Sequence, residues 1–485
     1  MGQDNLRNTT IKGMGWSFTD GILSQGITFV VGIILARILS PEDYGEIAIV
    51  TIFVNVFNSI VDSGLSSALI RKKDADDIDF NTVFWSNLIL SLLLFVVLFL
   101  CARPIATFFN LPHLVPLIQV MSIIIIINAL SLIQRAILAK QIDFKTRTKV
   151  SVISAILSGV IGIGMAIKKC GVWSLVGQQI SYQGFCSMLL WIFNDWRPHR
   201  KFSSTRFKEL FGFGWKLLVS GLMEMVYNEI YKVIIGKFYT PSFLGQYTRA
   251  NQLASLPSSN ITAVTQRVSF PALSSIQDDK IRVKNAYKKI IKSTMLITFV
   301  LMLGIVGCAK NLVYVLLGQK WMQCVPMLQL ICFDLMLYPL HASNLNMLKI
   351  YGRSDLYLKL EIVKKLLAVI PVTLGIFVNI YWMLVGSIII GLLAYYLNAE
   401  FSGSYLNYGM FEQVKDVLPS FLLALGMSLV VYLVGLISLS PYAILPLQVM
   451  IGFFIVVAIC EITKYDVYLE VKNIVLGVFI KIKQR

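Results

Sequence analysis

The sequence has few charged residues and very few histidines. Asp, Glu, Lys and Arg make up 14% of its 485 residues, whereas soluble proteins have about a quarter. Its three histidines form no HxxxH pair, and no metal-ligand spacing or catalytic motif is visible, so we expect no metal site and no enzymatic activity. By contrast, 56% of the residues are hydrophobic and the mean hydropathy is +0.73. A water-soluble core cannot bury so much apolar surface, so the composition indicates an integral membrane protein.

Acidic residues are scarcer than basic ones. The chain has 26 Asp and Glu against 43 Lys and Arg, which gives a formal net charge of +17. In a soluble protein this balance would suggest a nucleic-acid partner. In a membrane protein it is typical of basic cytoplasmic loops, so we expect no nucleic acid. The seven cysteines are scattered along apolar runs, which predicts packing residues rather than a disulfide framework.

Long apolar runs predict fourteen membrane-spanning helices, because a helix needs about 20 apolar residues to cross a bilayer. The predicted spans cover approximately residues 16–38, 45–69, 81–102, 114–134, 148–167, 172–193, 210–235, 242–265, 289–308, 322–346, 356–379, 381–405, 417–437 and 441–463. The seventh and eighth spans are the most polar, and hydropathy alone can miss both.

Lys and Arg are concentrated in alternate loops. Basic residues cluster at 71–73, 135–149, 197–208 and 267–292, whereas the intervening loops hold few of them. Because cytoplasmic loops of membrane proteins are enriched in Lys and Arg, the basic side is predicted to be cytoplasmic, with both termini inside.

A short pattern occurs twice, about 200 positions apart. Residues 36–49 read ARILSPEDYGEIAI and residues 236–249 read GKFYTPSFLGQYTR. Each joins the first two helices of a predicted six-helix group, where a Ser/Thr–Pro step ends one helix and caps the next. A second pair of similar motifs, GMGW at 13–16 and GFGW at 212–215, lies at the start of the first helix of each group.

These two repeated motifs predict a parallel repeat in an all-α membrane protein of about fourteen helices. We expect two six-helix lobes, at 1–205 and 206–410, followed by a C-terminal helix pair at 411–485. Two such lobes are typical of transporters that bind substrate between the lobes and expose it to alternate sides of the membrane. Chance recurrence of a Pro turn is the alternative interpretation.

Four stretches resemble the polysaccharide-exporter branch of the MATE/MOP superfamily, and most closely the Wzx-type lipid-linked oligosaccharide flippases, including colanic-acid exporters. They are LARILSPEDYGEIAI at 35–49, the segment 134–179, LGQYTRANQLASLPSSNITAVTQRVSFPALSSIQ at 244–277, and the basic loop between the last two. The resemblance implies a bacterial inner-membrane protein that moves undecaprenyl-diphosphate-linked repeat units to the outer leaflet during cell-surface polysaccharide assembly. A polymerase and a chain-length regulator are the protein partners that it suggests.

Such a cargo carries a diphosphate, and burying a diphosphate requires cations or N–H donors. Ionisable groups within membrane spans are costly, so each is a functional candidate. We predict diphosphate contacts at Arg249 and Lys216, with Arg267 at the cytoplasmic mouth. The alternatives are that Arg249 pairs with an acid between two helices and that Lys216 extends to the membrane interface.

The sugar requires a wet, hydrogen-bonding cavity. Polar residues predicted to line it are Asn55, Asn58, Asn228, Gln252 and Asn260. The spacing of Asn55, Asn58 and Asp62 places these three on one helix face, although an interhelical hydrogen-bond seam predicts the same spacing.

Coupling to H⁺ or Na⁺ is an option that the sequence leaves open. Its candidate residues are Asp20, Asp62 and Glu224. The rival functions are a multidrug or small-molecule exporter of the same superfamily and a membrane polymerase or ligase of polysaccharide assembly. The outer loops are short, which disfavours the enzyme because a polymerase or ligase needs a sizeable outer catalytic loop.

Overall fold

The structure, a computed structural model, describes residues 23–62, 64–72, 74–470 and 472–473. Its first helices are α1 (Leu23–Ile38), α2 (Pro41–Asp62), α3 (Leu65–Arg71), α4 (Asp77–Phe108), α5 (Leu114–Met121), α6 (Ile123–Lys140), α7 (Phe144–Ile167), α8 (Trp173–Phe193) and α9 (Ser204–Phe238). The others are α10 (Pro241–Ser274), α11 (Lys280–Leu316), α12 (Cys324–Leu335), α13 (Tyr338–Ile350), α14 (Ser354–Leu367), α15 (Val369–Phe377), α16 (Ile380–Gly403), α17 (Met410–Val434) and α18 (Pro441–Ile462).

These helices match the fourteen predicted spans, since four spans are each made of two consecutive helices. The four pairs are α2–α3, α5–α6, α12–α13 and α14–α15. The described residues contain no strand, so the predicted all-α fold is confirmed. Nine segments of the described chain are long and apolar enough to cross a membrane. Helices α9 and α10, the two predicted to be most polar, are not among the nine, and neither is α8.

Helix α4 shows how this chain uses lipid as its solvent. Its buried positions include Asn87 and Ser91, both 0% exposed, whereas Leu93 and Leu100 are 57% and 69% exposed. A soluble protein has the opposite arrangement, with apolar side chains inside. Polar groups at membrane depth must be enclosed by protein, and apolar ones can face the acyl chains.

The chain forms two compact units, Met1–Gly245 and Gln246–Arg485. This division follows packing alone, and the lobes predicted from the repeat remain a prediction. The motif at 212–215 lies inside α9, which begins at Ser204 rather than near the predicted residue 210. The earlier start has a local cause, because the Ser203 hydroxyl accepts a hydrogen bond from the Arg206 N–H at 3.3 Å and caps the helix. The matching motif at 13–16 lies outside the described residues.

The repeated Ser/Thr–Pro turns have the predicted capping geometry. Pro41 and Pro241 are the first residues of α2 and α10. The Ser40 hydroxyl accepts a hydrogen bond from the Asp43 N–H at 3.1 Å, and the Thr240 hydroxyl accepts one from the Phe243 N–H at 3.4 Å.

The two turns also pack against each other. A Cβ placed on Gly45 would lie 1.8 Å from the Pro241 carbonyl oxygen, and one on Gly245 would lie 1.8 Å from the Pro41 carbonyl oxygen. Only glycine permits this approach of two backbones. The reciprocal contact gives both glycines of the pattern the same structural role.

The predicted cytoplasmic end of the first unit is fixed by ion pairs and aromatic packing. The Asp79 carboxylate, which is fully buried, lies 3.0 Å from the Lys72 ammonium, and Arg206 approaches the same carboxylate at 3.8 Å. Beside them, Phe84 packs edge-on against Trp85, Trp191 and Trp196. These contacts join the start of α4, the end of α8 and the start of α9.

A buried polar network holds the second unit together. Its members are Tyr287 on α11, Asn344 on α13, Tyr395 and Ser402 on α16, and Gln413 on α17. The amides of Asn344 and Gln413 exchange two hydrogen bonds of 3.1 and 2.9 Å. Four helices are therefore connected through groups that would be costly to leave unpaired in a membrane.

Candidate functional site: an amide-lined cavity

A cavity of about 460 Å³ lies within the first unit. It is a partly open cavity between α1, α2, α6, α7 and α8, and its lining residues are Thr28, Thr51, Val54, Asn55, Asn58, Ile124, Asn128, Ala155, Ser158, Gln178, Gln179, Tyr182 and Gln183. Pockets for small molecules usually measure about 300–1,000 Å³. The residues that each helix contributes lie near the middle of its predicted span, so we predict that the cavity lies near the membrane midplane.

Helix α2 contributes one face to the cavity. Thr51, Val54, Asn55 and Asn58 are spaced by three, one and three residues, so they project from the same side of the helix. The structure thus places Asn55 and Asn58 in the wall of this cavity, and their predicted contact with a sugar stays a prediction. Asp62, which was predicted to share this face, is the last residue of α2; it is exposed and does not line the cavity.

Helix α8 contributes most of the remaining polar surface. Gln178, Gln179 and Gln183 line the cavity, and the described residues supply no hydrogen-bond partner for their side chains. The sequence analysis missed these glutamines, because it predicted cavity amides only in spans that also contain charged residues, and α8 contains none. Three glutamines within six positions of an apolar span were the available signal, since amides buried in lipid are costly as well.

Neighbouring charges hold two of the cavity amides. The Asn55 amino group lies 3.3 Å from the Glu229 carboxylate of α9, which the Lys232 ammonium contacts at 2.7 Å. The Asn128 carbonyl accepts a hydrogen bond of 3.3 Å from the Arg135 guanidinium. The lining itself, as far as the chain is described, includes no Asp, Glu, Lys, Arg or His. The polar groups of the cavity lining are therefore amides and hydroxyls, and the charged residues contact two of these amides from outside the lining.

The predicted residues on α9 do not line this cavity. Lys216, Glu224 and Asn228 are all exposed, whereas Glu229 is buried at 6% exposure. Glu224 and Asn228 are four residues apart and share a helix face, as predicted. Their predicted roles in phosphate binding, ion coupling and cavity lining stay predictions.

The predicted residues on α10 belong to the second unit. Arg249 is half-buried and donates a hydrogen bond to the side-chain amide oxygen Oε1 of Gln252, one turn later on the same helix. Asn260 is exposed and donates to the Leu256 carbonyl at 2.8 Å, and Arg267 is exposed. Asp20, the remaining candidate for ion coupling, lies outside the described residues.

No cluster of three His, Cys, Asp or Glu side chains that could hold a metal ion occurs among the described residues. All seven cysteines are free thiols, four of them buried, and they act as small apolar packing residues.

Comparison with known proteins identifies the family. Residues 34–326 match the family described as polysaccharide biosynthesis protein. The chain belongs to this family. ExoT of Rhizobium meliloti (strain 1021), named a succinoglycan biosynthesis transport protein, is 28% identical over 67% of this chain and 66% of its own length. WzxC of Escherichia coli (strain K12), named a lipopolysaccharide biosynthesis protein, is 24% identical over 86% of this chain and 83% of its own length.

A solved structure with a similar fold is that of a lipid II flippase, MurJ, in an inward closed conformation. The TM-score is 0.74, the sequence identity is 15%, and the match covers 94% of this chain and 100% of that one. At this identity the similarity concerns the fold alone. Family and fold together confirm the resemblance to Wzx-type proteins, and they indicate a membrane transporter of the flippase or exporter type.

Proposed function

We propose that this protein is a flippase for undecaprenyl-diphosphate-linked oligosaccharide repeat units. It moves them from the inner to the outer leaflet of a bacterial inner membrane, by alternating access and with both termini in the cytoplasm. The repeat units serve cell-surface polysaccharide assembly, beside a polymerase and a chain-length regulator.

The amide-lined cavity carries this proposal. Sugars present many hydroxyl groups, each both a donor and an acceptor, and side-chain amides and hydroxyls complement them without charge. Gln178, Gln179 and Gln183 of α8 face Asn55 and Asn58 of α2 across a space of small-molecule size near the membrane midplane. A neutral polar cavity at that depth suits a glycan head whose lipid tail stays in the bilayer.

The diphosphate requires a separate set of contacts, because the described part of the cavity lining contains no cation. We propose Arg249 and Lys216 for this role, with Arg267 at the cytoplasmic mouth. Guanidinium and ammonium groups bind phosphate oxygens through charge-assisted hydrogen bonds. Asp20, Asp62 and Glu224 remain the proposed residues for H⁺ or Na⁺ coupling.

A small-molecule exporter remains the rival within the same fold. A cationic drug at membrane depth calls for a carboxylate in the wall of its site, and the cavity lining described above has none. The lining therefore favours a neutral polyol over a cationic drug.

Reconstitution tests the proposed function. Proteoliposomes receive a fluorescent undecaprenyl-diphosphate oligosaccharide, and a reagent confined to one side reports the rate of its movement. Arg249→Ala and Lys216→Ala each remove a charge-assisted hydrogen bond, so we expect transport slower by about 10–100-fold.

Arg282→Ala and Lys208→Ala, at exposed positions of α11 and α9, are the matched controls. Well-folded wild-type protein that moved no sugar-linked lipid, with or without an ion gradient, would contradict the proposed function. Normal transport by both phosphate-site variants would contradict only the diphosphate assignment.

A further inference from the structure

Two side-chain amides of the cavity each form a hydrogen bond with a charged residue outside the lining, one with an anion and the other with a cation. Asn55 of α2 meets the buried Glu229 of α9 at 3.3 Å, and Lys232 holds that carboxylate at 2.7 Å. Asn128 of α6 meets the half-buried Arg135, two turns further along the same helix, at 3.3 Å.

The chemistry of these charges fixes which way each amide points. A carboxylate only accepts hydrogen bonds, so Glu229 must receive the amino group of Asn55. A guanidinium only donates, so Arg135 must face the carbonyl of Asn128. The usual ambiguity between the oxygen and the nitrogen of an amide is therefore removed at both positions. Asn55 keeps its carbonyl for a ligand, and Asn128 keeps its amino group.

We infer that Glu229 and Arg135 are positioning residues that set the hydrogen-bond polarity of a glycan-binding cavity. The inference rests on the proposed function and adds a specificity rule to it. Asn55 is a fixed acceptor and Asn128 is a fixed donor, whereas no described residue fixes the amide orientation of the three glutamines of α8 by a hydrogen bond.

This arrangement selects an uncharged sugar that offers a hydroxyl or amide N–H to Asn55 and an oxygen to Asn128. Sites built from fixed hydrogen-bonding groups reject analogues that lack the complementary group, because a buried polar group is then left unpaired. A hexose or acetamidohexose unit carries both complementary groups. The charges themselves contact the amides and not the ligand.

A double-mutant cycle separates positioning from a general structural role. Uncharged hexose and acetamidohexose disaccharides are titrated calorimetrically against the full-length protein in lipid nanodiscs. Glu229→Leu, which has no acceptor for the Asn55 amino group, and Asn55→Ala should each weaken binding about 5–10-fold, the value of one lost hydrogen bond. Because Glu229 acts through Asn55, the double variant should bind no more weakly than Asn55→Ala alone.

The second pair provides an independent cycle. Arg135→Leu, which has no donor, and Asn128→Ala should show the same non-additivity, whereas Arg135→Lys should keep wild-type binding because an ammonium also donates to the Asn128 carbonyl. Arg135 is only half-buried, so this pair tests the inference even where Glu229→Leu lowers stability. Glu42→Gln and Arg147→Gln, at exposed positions of α2 and α7, are the controls and should leave affinity unchanged.

The outcomes distinguish the inference from the proposed function. Additive effects in both cycles, or wild-type protein that binds none of the disaccharides, would overturn the positioning role. If the mutational effects on sugar binding are non-additive but the protein moves no lipid-linked sugar, the cavity assignment is retained and the flippase function is rejected. If the protein moves lipid-linked sugar but the mutational effects on binding are additive in both cycles, the flippase function is retained and the positioning role is rejected.

Discussion

The contact between the two repeated turns gives the sharpest prediction about stability. In Gly45→Ala the new methyl group would stand 1.8 Å from the Pro241 carbonyl oxygen, and Cβ atoms essentially never approach another heavy atom within 3.0 Å. The two backbones must therefore separate by more than about 1 Å. Overpacking that displaces side chains costs about 1–3 kcal/mol, and backbone offers less relief than a side chain. We expect Gly45→Ala to lower the free energy of unfolding by about 3 kcal/mol or more.

Thermal unfolding in nanodiscs, followed by tryptophan fluorescence, measures this effect. Gly164→Ala on α7 is the matched control, because nothing lies within 4 Å of its added methyl group. Alanine is the better helix former, so the control should be neutral or more stable by up to about 1 kcal/mol. Gly245→Ala should resemble Gly45→Ala, and the double variant should lose less than the sum because both separate the same two turns. Equal stability of Gly45→Ala and Gly164→Ala would refute the reasoning.

Three further predictions concern other parts of the fold. Gly64 has φ +66°, and a methyl group added to it would lie 2.5 Å from the Gly214 carbonyl oxygen. Gly64→Ala should therefore lower the free energy of unfolding by about 1–3 kcal/mol in the same assay. Gly212→Ala, where nothing lies within 4 Å of the added methyl group, should not lower it. Gln413→Leu leaves Asn344 without its amide partner and should lower stability by about 1–3 kcal/mol, and an unchanged midpoint would show that the network is dispensable. The backbone N–H of Asp79 holds the pKa of the Asp76 carboxyl, at the start of α4, below its usual 3.8. This carboxylate therefore stabilises the fold above pH 3.8, and the effect is lost as pH falls through the lowered pKa. The unfolding midpoints of wild type and Asp76→Ala should therefore differ at neutral pH and converge at pH values below that lowered pKa.

The sequence predicted the course of the helices better than their interruptions. Apolar runs and the repeated turns were sufficient for the fourteen spans, even at the polar α9 and α10. The break between α2 and α3 was not predicted, because it depends on a left-handed Gly64 that meets Gly214 from a helix about 150 positions away. Such a contact leaves no periodic signal in the sequence.

The candidate site was predicted in part, for a similar reason. Asn55 and Asn58 stood out because polar residues at helical spacing interrupt an apolar span. Gln179 and Gln183, four residues apart, gave the same signal more weakly, because no charged residue accompanies them in α8 as Asp62 accompanies Asn58 in α2. Arg135 was interpreted only as one of the cytoplasmic basic residues, because its reach back to Asn128 depends on a side-chain conformation.

The central claim is that the cavity of the first unit recognises the sugar of a lipid-linked substrate. Its most direct test compares the movement of undecaprenyl-diphosphate oligosaccharide with that of undecaprenyl diphosphate lacking sugar, in the same proteoliposomes. We expect rapid movement only with the sugar attached, and Asn58→Leu with Gln179→Leu should abolish the difference. Equal rates for the two lipids in wild-type protein would contradict the claim.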